Sequence, residues 1–460
     1  MGIFGALTTA VSGLRAQSYA LENISGNIAN SQTPGFKRVD TSFVDMIPEL
    51  PYRSEVAGSV NAFSRLTNTL SGDLTQSGIS TNAGISGPGF FAVQQSVGYS
   101  GNQPIFGGVD LYTRRGDFQM DKDGFLVNGA GFYLRGTTID PITGNIVGNG
   151  SDVIRISSDP VSSRKTSEIL YKANLPTRPA TEDAELDNPD SVLYRNPDGT
   201  LPSSAVTTSV PSGSAPGVTG ADETDFLRQS VSGGAVTVYN DVGTPIDLQL
   251  RWAKVSGSPD TWNVFYQENS TAGNADVAWR NIGAAITFDS SGRMNAPYSF
   301  DLASVVVDGV TLDNLSLNFG ERGLTQYSTS SGLVQASTIE QDGYPSGTLA
   351  SVAVMSDGRI VGNYTNGRTV PVAQIQVVQF NADNALRRLD GGVYERTLES
   401  GLPIIGLNGS SIVGGYVEGS NTDIAEEFSK MIVTQQAYSA NTRVVSTTQQ
   451  MMTEVINMVR

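Results

Sequence analysis

Side chains that could do chemistry are sparse in this sequence, and two groupings come close to known motifs. Ser162 and Lys165 have the Ser-x-x-Lys spacing of some serine acyl-transfer enzymes, but the accompanying Ser-Asp-Asn and Lys-Thr-Gly motifs do not occur in the chain. The glycines of 84–89 could form a phosphate loop, yet no Lys-Ser or Lys-Thr follows them, and Phe90–Val93 is typical of a strand. We therefore predict no catalytic residue and no nucleotide site.

An acidic stretch at 121–124 has some features of a calcium loop. Such a loop needs glycine at its sixth position and glutamate at its twelfth. Counting from Asp121, Gly124 is fourth and Phe132 is twelfth. We interpret the stretch as a turn between two strands, with Phe118 and Met120 before it and Phe125 after it.

The composition excludes whole classes of chemistry. The chain of 460 residues contains no histidine and no cysteine. Zinc sites of the Cys/His kind, thiol and Ser–His nucleophiles, haem–histidine ligation and disulfides are therefore ruled out. We expect neither a metal nor a cofactor.

The charge of the chain argues against nucleic-acid binding. Its formal net charge is −16, and its basic clusters are no longer than dipeptides such as Arg114-Arg115 and Arg387-Arg388. We interpret the adjacent carboxylates Glu426 and Glu427 as a solvated acidic face. The chain contains no run of 18 apolar residues, so we expect no membrane insertion. Its N-terminus lacks the pattern of a Sec signal peptide.

Heptad spacing predicts a helix at each end of the chain. Apolar residues that recur every seven positions, with companions four positions before them, predict a helical seam over most of the first 30 residues. The residues of this N-terminal seam are Ile3, Leu7, Ala10, Leu14, Leu21, Ile24 and Ile28. Only Arg15 and Glu22 are charged among residues 1–30, which indicates a helix surrounded by protein on several sides.

The C-terminus shows the same spacing. The residues of the C-terminal seam are Ile424, Phe428, Met431, Tyr438, Val445, Met452, Ile456 and Val459. Gln435, Thr442 and Gln449 interrupt this seam, so it is too polar for a self-sufficient coiled coil. An ordinary core-facing helix is the alternative for each seam. Because two such seams lie at opposite chain ends, we expect them to pack on each other in a polymer.

The middle of the chain predicts β structure. Val236–Trp252 alternates apolar and polar residues around the turn at Asn240–Gly243, and Trp262–Tyr266 continues the alternation. Within 347–380, Asp357-Gly358 and Asn366-Gly367 predict the turns of a three-stranded meander. Ser203–Gly220 is low in complexity and is predicted to be an exposed loop.

Several short motifs resemble those of the bacterial flagellar rod and hook axial proteins. Asn23–Arg38 is similar to the family's N-terminal "NNIAN" and "T-x-G-[FY]-K" signature, with Gly26 in place of the first Asn. Gly87–Val93 and Tyr112–Val127 resemble its "G-x-GFF-x-V" and "TR-x-G-x-F" motifs, and Glu418–Asn441 resembles "LE-x-SN" and "Q-x-AY-x-x-N", with Val417 for Leu. The residues that carry the signature are Asn27, Ala29, Asn30, Gly35, Phe36, Lys37, Asn421 and Asn441. The matches cover roughly 1–140 and 335–460.

The resemblance implies a structural protein rather than an enzyme. Members of this family polymerise with themselves, are exported by the flagellar type III apparatus, and form part of the extracellular flagellum. Their partners include the distal rod, the hook cap and the hook–filament junction proteins. The long stretch between the two matching blocks favours the hook branch, a curved flexible tube that transmits torque and encloses the export channel. The alternative within the family is a distal-rod-type or hook-associated protein. Outside it, the alternatives are a secreted adhesin-like β protein and a hydrolase using Ser, Lys and Asp.

The predicted fold is multi-domain and mainly β with α-helical termini. We expect the terminal helices, 1–35 and 418–460, to pair as a coiled-coil-like domain that forms the inner tube. An extended segment, 36–84, connects them to a first β domain, 85–165 with 335–417. An outer β domain, 166–334, is inserted into the first, and both β domains are expected to be sandwich-like or barrel-like.

Overall fold

The structure is a computed structural model, and it describes residues 3–46, 59–101, 103–140, 143–148, 150–195 and 217–458. The chain divides into two compact units. Unit 1 comprises Met1–Asp159 and Leu349–Arg460, and unit 2 comprises Pro160–Thr348. One unit is thus inserted into the other, and the chain is mainly β with helical ends, which confirms the predicted fold class. The four-part division drawn from the sequence stays a prediction.

The helices and strands are as follows in chain order. The helices are α1 Ile3–Ala29, α2 Glu223–Arg228 and α3 Ile424–Met458, and two 3-10 turns span Pro189–Val192 and Asp383–Ala385. The strands before the insertion are β1 Val39–Met46, β2 Ser59–Leu66, β3 Leu74–Gln76, β4 Ala83–Ser86, β5 Phe90–Ser100, β6 Gln103–Phe106, β7 Leu111–Thr113, β8 Phe118–Met120, β9 Leu126–Asn128, β10 Phe132–Thr138 and β11 Asp152–Val153. Those of unit 2 are β12 Glu168–Leu175, β13 Gly217–Thr219, β14 Val231–Tyr239, β15 Pro245–Gly257, β16 Asp260–Gln267, β17 Val277–Thr287, β18 Ser299–Val307, β19 Val310–Asn318, β20 Leu324–Gln326 and β21 Gln335–Gln341. Those after it are β22 Leu349–Val354, β23 Arg359–Tyr364, β24 Thr369–Ile375, β25 Val377–Gln379, β26 Arg387–Leu389, β27 Val393–Glu395, β28 Ile404–Ile405, β29 Ser411–Gly414 and β30 Tyr416–Glu418.

Unit 1 is built around one large sheet to which both halves of the chain contribute. Its main path runs β22-β23-β24-β10-β5-β7-β27-β26, so three strands from before the insertion lie between strands from after it. The core beneath it includes Phe91, Phe118, Leu126, Leu134 and Ile375, each 4% exposed or less. Since strands from both sides of the insertion pair in this sheet, the chain must return to unit 1 after unit 2. The insertion therefore lies between β11 and β22.

The hairpins predicted from turn residues are confirmed. β22, β23 and β24 form the antiparallel meander, and β14 and β15 pair over Val231–Tyr239 and Pro245–Trp252. The acidic stretch is the turn between β8 and β9, where the Asp121 carboxylate accepts hydrogen bonds from the backbone N–H groups of Asp123 and Phe125. This turn is a capped loop of the Asx kind.

Unit 2 consists of two five-stranded sheets with a shared apolar core. One sheet has the order β13-β17-β16-β15-β14, and the other runs β18-β19-β12-β20 with β21 beside β12. Strictly alternating burial along β12 directs Ile169, Tyr171 and Leu175 inward. There Tyr171 donates to the carbonyl of Gly233 and accepts from the indole of Trp252, at 2.7 and 3.1 Å. The pairing of the two inner faces makes unit 2 sandwich-like.

The low-complexity stretch is only partly described. Gly217–Thr219 at its end pairs with β17 and is therefore a strand, because the backbone of Gly217 and Val218 continues the β17 edge. The prediction of a loop is wrong for these three residues, and 203–216 lies outside the described residues. No helix in the described part of the chain is long and apolar enough to cross a membrane.

The three tryptophans of the chain provide a test of unit 2. Trp252, Trp262 and Trp279 all lie in unit 2 and are at most 3% exposed, so tryptophan fluorescence reports the unfolding of this unit. Leu248, which is 2% exposed, packs in one apolar core with Trp252 and Trp262. We expect Leu248→Ala to lower the free energy of unfolding by about 2–5 kcal/mol, because it removes buried methyl groups and leaves a cavity.

Urea unfolding followed by tryptophan fluorescence measures this change. Leu186→Ala is the matched control, since Leu186 is 89% exposed, and its effect should stay within about 0.5 kcal/mol. Equal midpoints for the two variants would contradict the assignment of Leu248 to the core.

Candidate assembly site

The first helix packs through a stripe of small residues. Residues of α1 that are buried recur every three or four positions: Ala10, Gly13, Ala16, Ala20, Ile24 and Asn27. An added Cβ on Gly13 would lie 2.9 Å from the amide nitrogen of Asn441 on α3. The two terminal helices therefore pass so close that only a small side chain fits at this point.

The matching stripe on α3 is polar. Glu427, Thr434 and Thr448 are its buried residues, and Asn441, Val445 and Met452 are partly buried beside them. The two threonines donate to the carbonyls of Lys430 and Val444, four residues earlier, so their hydroxyls are satisfied within the helix. All three buried residues of α3 are polar or charged. Hydrophobic burial alone therefore does not hold the pair of terminal helices together.

The structure places the predicted seam residues unevenly. In the N-terminal seam, Ala10 and Ile24 are buried, whereas Leu7, Leu14, Leu21 and Ile28 are partly buried. In the C-terminal seam, Met431, Val445 and Met452 are partly buried, whereas Ile424, Phe428, Tyr438 and Ile456 are exposed. The side chain of Ile3 and all of Val459 lie outside the described residues. The role of both seams in assembly stays a prediction.

A hub of buried charges joins the two chain ends to the sheet of unit 1. Glu418, at the end of β30, is 0% exposed and receives Lys37 Nζ at 2.5 Å on one carboxylate oxygen. Arg114 Nη1 lies 3.1 Å from the other oxygen, and the backbone N–H of Gly72 donates to the first at 2.8 Å. Lys37 and Arg114 are themselves only 1% and 2% exposed. Each buried cation thus shares the same counter-ion.

Further donors of the hub end on backbone carbonyls. Lys37 also donates to Leu70, and Arg114 donates to Ile85 and Gly87. Burial lowers the pKa of Lys37 from its ordinary value, and the Glu418 carboxylate opposes that shift. Leu70 precedes β3, Ile85 lies in β4 and Gly87 precedes β5, so the hub binds three segments of the chain between α1 and the large sheet.

The signature residues surround this hub. Gly35 has φ +66°, and a Cβ there would lie 2.6 Å from the backbone nitrogen of Arg115. Phe36 is buried under the guanidinium of Arg388, 4.5 Å from its ring centre. Asn421 accepts from the backbone N–H of Arg38 at 2.7 Å and donates to the carbonyl of Leu70 at 3.2 Å. The "T-x-G-[FY]-K" and "LE-x-SN" segments therefore lie together, although they are at opposite ends of the chain.

A second cluster ties α3 to the end of α1, and it corrects one interpretation of the sequence. Glu427 is 0% exposed, so it does not belong to a solvated acidic face. Its carboxylate accepts from Asn27 Nδ2 and from Lys430 Nζ, both at 2.9 Å. Asn27 in turn pairs with both backbone groups of Val39 at the start of β1. The exposed neighbour Glu426 has its pKa lowered by hydrogen bonds from Lys430 and Arg38.

Other signature residues have smaller roles. Asn30 closes the end of α1 by donating to the carbonyl of Gly26 and accepting from the Thr33 hydroxyl. Ala29 is exposed, and Asn441 lies against Gly13. The sequence alone identified neither Glu418 and Arg114 as hub residues nor Glu427 as a buried residue of the second cluster. A charged residue beside each signature motif was the available signal, but it did not show which charges pair.

The charged side chains of the hub bind one another, and so do those of the second cluster. Among the described residues, no group of His, Cys, Asp or Glu side chains is arranged to hold a metal ion. The carboxylates of Glu418 and Glu427 pair with Lys37, Arg114 and Lys430, and further donors of Lys37 and Arg114 bind backbone carbonyls. The arrangement fixes two helices against a β unit, which is the property of a structural subunit whose ends are built for packing.

Comparison with known proteins places the chain in a family of such subunits. Four family profiles match it: "Flagella basal body rod protein" at 7–37, "Flagellar hook protein FlgE/F/G D1 domain" at 84–162, "Flagellar basal body protein FlaE D2 domain" at 218–344 and "Flagellar basal body rod FlgEFG protein C-terminal" at 413–458. The chain belongs to the flagellar rod and hook axial protein family, as the motifs of its two ends predicted.

Relatives cover the chain along its whole length. Flagellar hook protein FlgE of Brucella suis is 28% identical, with 100% of each chain covered. Flagellar hook protein FlgE of Salmonella typhimurium is 28% identical, with 98% of each covered. A crystal structure of Helicobacter pylori flagellar hook protein FlgE2 has a TM-score of 0.48 and 16% identity, and it matches over 75% of this chain and 100% of its own.

The hub predicts a large cost for removing its single anion. Glu418→Gln keeps the shape but leaves the buried Lys37 and Arg114 without a counter-ion, so we expect a loss of about 3–5 kcal/mol in the free energy of unfolding. Glu426→Gln is the control: its carboxylate also bonds a lysine and an arginine but is 47% exposed, so the loss should be about 1 kcal/mol or less. Urea unfolding followed by far-UV circular dichroism measures both. Similar losses for the two variants would show that the hub is not essential.

Two glycines of the N-terminal signature should respond oppositely to a methyl group. Gly26 lies in α1 with nothing within 4 Å of its added Cβ, so Gly26→Ala should stabilise the protein by up to about 1 kcal/mol through helix propensity. Gly35→Ala adds a Cβ 2.6 Å from the Arg115 nitrogen at a left-handed backbone position and should destabilise by more than about 1 kcal/mol. Thermal unfolding of both variants tests this. Effects of the same sign would contradict the close approach at Gly35.

Proposed function

We propose that this chain is a structural subunit of the flagellar hook. Copies of it polymerise into a curved, flexible tube that transmits torque from the rod to the filament and encloses the export channel. Full-length relatives that bear the name flagellar hook protein FlgE support the proposal, as does the D2-type profile that falls on the inserted unit 2. The function is mechanical, and no bond is made or broken.

The observation that carries the proposal is the outer face of α3. This helix has 35 residues and is therefore about 52 Å long. Its large apolar side chains that are 41% exposed or more in the single chain are Ile424, Phe428, Ile432, Val433, Tyr438, Val444, Met451, Val455, Ile456 and Met458. A helix that buries polar residues within its subunit and exposes ten large apolar side chains is the reverse of a surface helix in a soluble monomer. Other copies of the chain provide the apolar surroundings that this face requires.

The buried hub makes such a helix useful in a tube. Because Glu418 fixes the start of α3 and Lys37 fixes the end of the N-terminal signature, both helices leave the sheet of unit 1 from one anchored point. Force on the β units is therefore transmitted to the helices through buried ion pairs rather than through a loose linker. The low charge content of the chain, 16%, favours outer surfaces that slide without forming strong ion pairs.

The proposal includes the partners and the location of the assembled protein. The chain polymerises with itself in the flagellar hook. It joins the distal rod at one end of the tube and the hook–filament junction proteins at the other, and it assembles under a hook cap. It reaches that place through the flagellar type III export apparatus, without a cleaved Sec signal.

Substitution on the outer face of α3 tests this function. Phe428→Asp places a carboxylate on a side chain that is 50% exposed in the single chain, so the variant should fold normally. In the polymer the carboxylate would be buried without a partner, at a cost of several kcal/mol per subunit. We expect the purified variant to stay monomeric and a strain carrying it to be non-motile. Sedimentation and negative-stain microscopy are the measurements.

Leu186→Asp is the matched control for this substitution. Leu186 is 89% exposed and belongs to unit 2, whereas the terminal helices belong to unit 1. This variant should form curved tubes like the unmodified chain. Normal tubes from Phe428→Asp, or straight shafts from the unmodified chain, would contradict the proposed function.

A further inference from the structure

One loop of unit 1 presents an unusual concentration of exposed apolar side chains. Within the eight residues 398–405, Leu398 is 100% exposed, Leu402 71%, Ile405 68% and Ile404 43%. Ile404 and Ile405 form β28, which pairs with β25 on one side and with no other strand of the described residues. We call these four residues the loop patch. An apolar edge strand of this kind normally carries charges that prevent pairing, and here Glu399 is the only charge.

The loop patch is held in a fixed shape. Ser400 is 0% exposed and exchanges hydrogen bonds with Thr397, whose hydroxyl also donates to the carbonyl of Ala385 at 2.8 Å. The backbone N–H of Gly406 donates to the carbonyl of Val377 at 3.0 Å. The exposed side chains are therefore presented by an ordered backbone, and binding them costs little conformational entropy.

A second apolar surface lies on the hairpin of β5 and β6. Val97 of β5 and Ile105 of β6 are 68% and 47% exposed, and Val109, in the segment between β6 and β7, is 58% exposed. We call these three residues the hairpin patch. The opposite side of the hairpin is anchored, because Phe106 packs edge-on against Tyr133 with ring centres 5.0 Å apart. The nearby carboxylate of Asp110 is neutralised by an ion pair with Arg135.

The two patches are connected by the length of β5. Phe90, at the start of β5, pairs with Val378, and Val378 pairs with Ile405 of the loop patch. Ser96–Ser100, at the end of β5, pairs with β6 of the hairpin patch. Seven to eight residues of strand separate Phe90 from Val97 and from Gly98, the partner of Ile105, which is a distance of about 25 Å. The loop patch and the hairpin patch therefore lie at opposite ends of one strand.

We propose that the loop patch of one copy of this chain contacts the hairpin patch of a second copy. Two different surfaces at opposite ends of one strand form a head-to-tail contact, and a contact of this kind repeats without closing unless a rotation completes a ring. The inference rests on the proposed function, which supplies the polymer, and it names the surfaces that join the β domains of neighbouring subunits. Two copies that each carry a net charge of −16 require contacts that are low in charge, and both patches meet that requirement.

Disulfide cross-linking tests this contact without background, because the chain contains no cysteine. The variant Ile105→Cys with Leu402→Cys is polymerised, oxidised and separated under denaturing, non-reducing conditions. We expect a ladder of dimers, trimers and higher species, because each copy is linked at both ends. Each single-cysteine variant should remain monomeric. The pair Ile105→Cys with Leu186→Cys is the control for random collision and should give no ladder.

Opposite charges at the two positions give a second, independent test. Ile105→Asp and Leu402→Asp should each reduce polymerisation about tenfold or more, since both positions are exposed and only the contact is affected. Leu402→Asp combined with Ile105→Lys should restore assembly, whereas the two aspartates together should not. Polymerisation of both single variants at the unmodified level would overturn the inference. So would the absence of a ladder together with a failure of Leu402→Asp with Ile105→Lys to restore assembly. Failure of the unmodified chain to polymerise would instead overturn the proposed function.

Discussion

The buried carboxylate of Glu418 is the interaction on which the arrangement of unit 1 depends. It compensates two cations, Lys37 and Arg114, in a place where none of the three has access to water. A lone charge there would be strongly destabilising, so the three segments that carry these residues must come together for any of them to be buried. That requirement joins the N-terminal signature, the strand region around β7 and the chain leading into α3. The terminal helices are thereby attached to the β unit at one fixed point.

The helices themselves are built for partners outside the single chain. α1 and α3 approach closely through Gly13 and Asn441, and Glu427 with Asn27 fixes their common end. Ten large apolar side chains of α3 are 41% exposed or more in the single chain. The fold therefore places its polar, specific interactions within the subunit and leaves its apolar surface for assembly. In the proposed hook, the same division would let subunits keep their internal geometry while the contacts between them change as the tube turns.

Sequence patterns predicted the elements and the fold class, but they predicted the inner faces of the terminal helices only in part. Turn residues such as Asp357-Gly358 act locally, so the hairpins they predicted are confirmed. Heptad spacing showed that Phe428 and Met431 lie on one helix, but it could not show which side meets α1. The small residues of α1 and the polar stripe of α3 define that side, and neither has a strong hydrophobic signal. Glu418 and Glu427 were missed because burial of a charge depends on partners hundreds of residues away, which no local pattern records.

In the hook that we propose, other copies of the chain cover the outer face of α3. A density map of the assembled polymer that resolves side chains would show this contact. We expect Phe428, Ile432 and Val455 to lie against helices of neighbouring subunits, while Glu418 keeps its bonds to Lys37 and Arg114. A map in which these apolar side chains face the water-filled channel or the outer solvent would contradict this expectation.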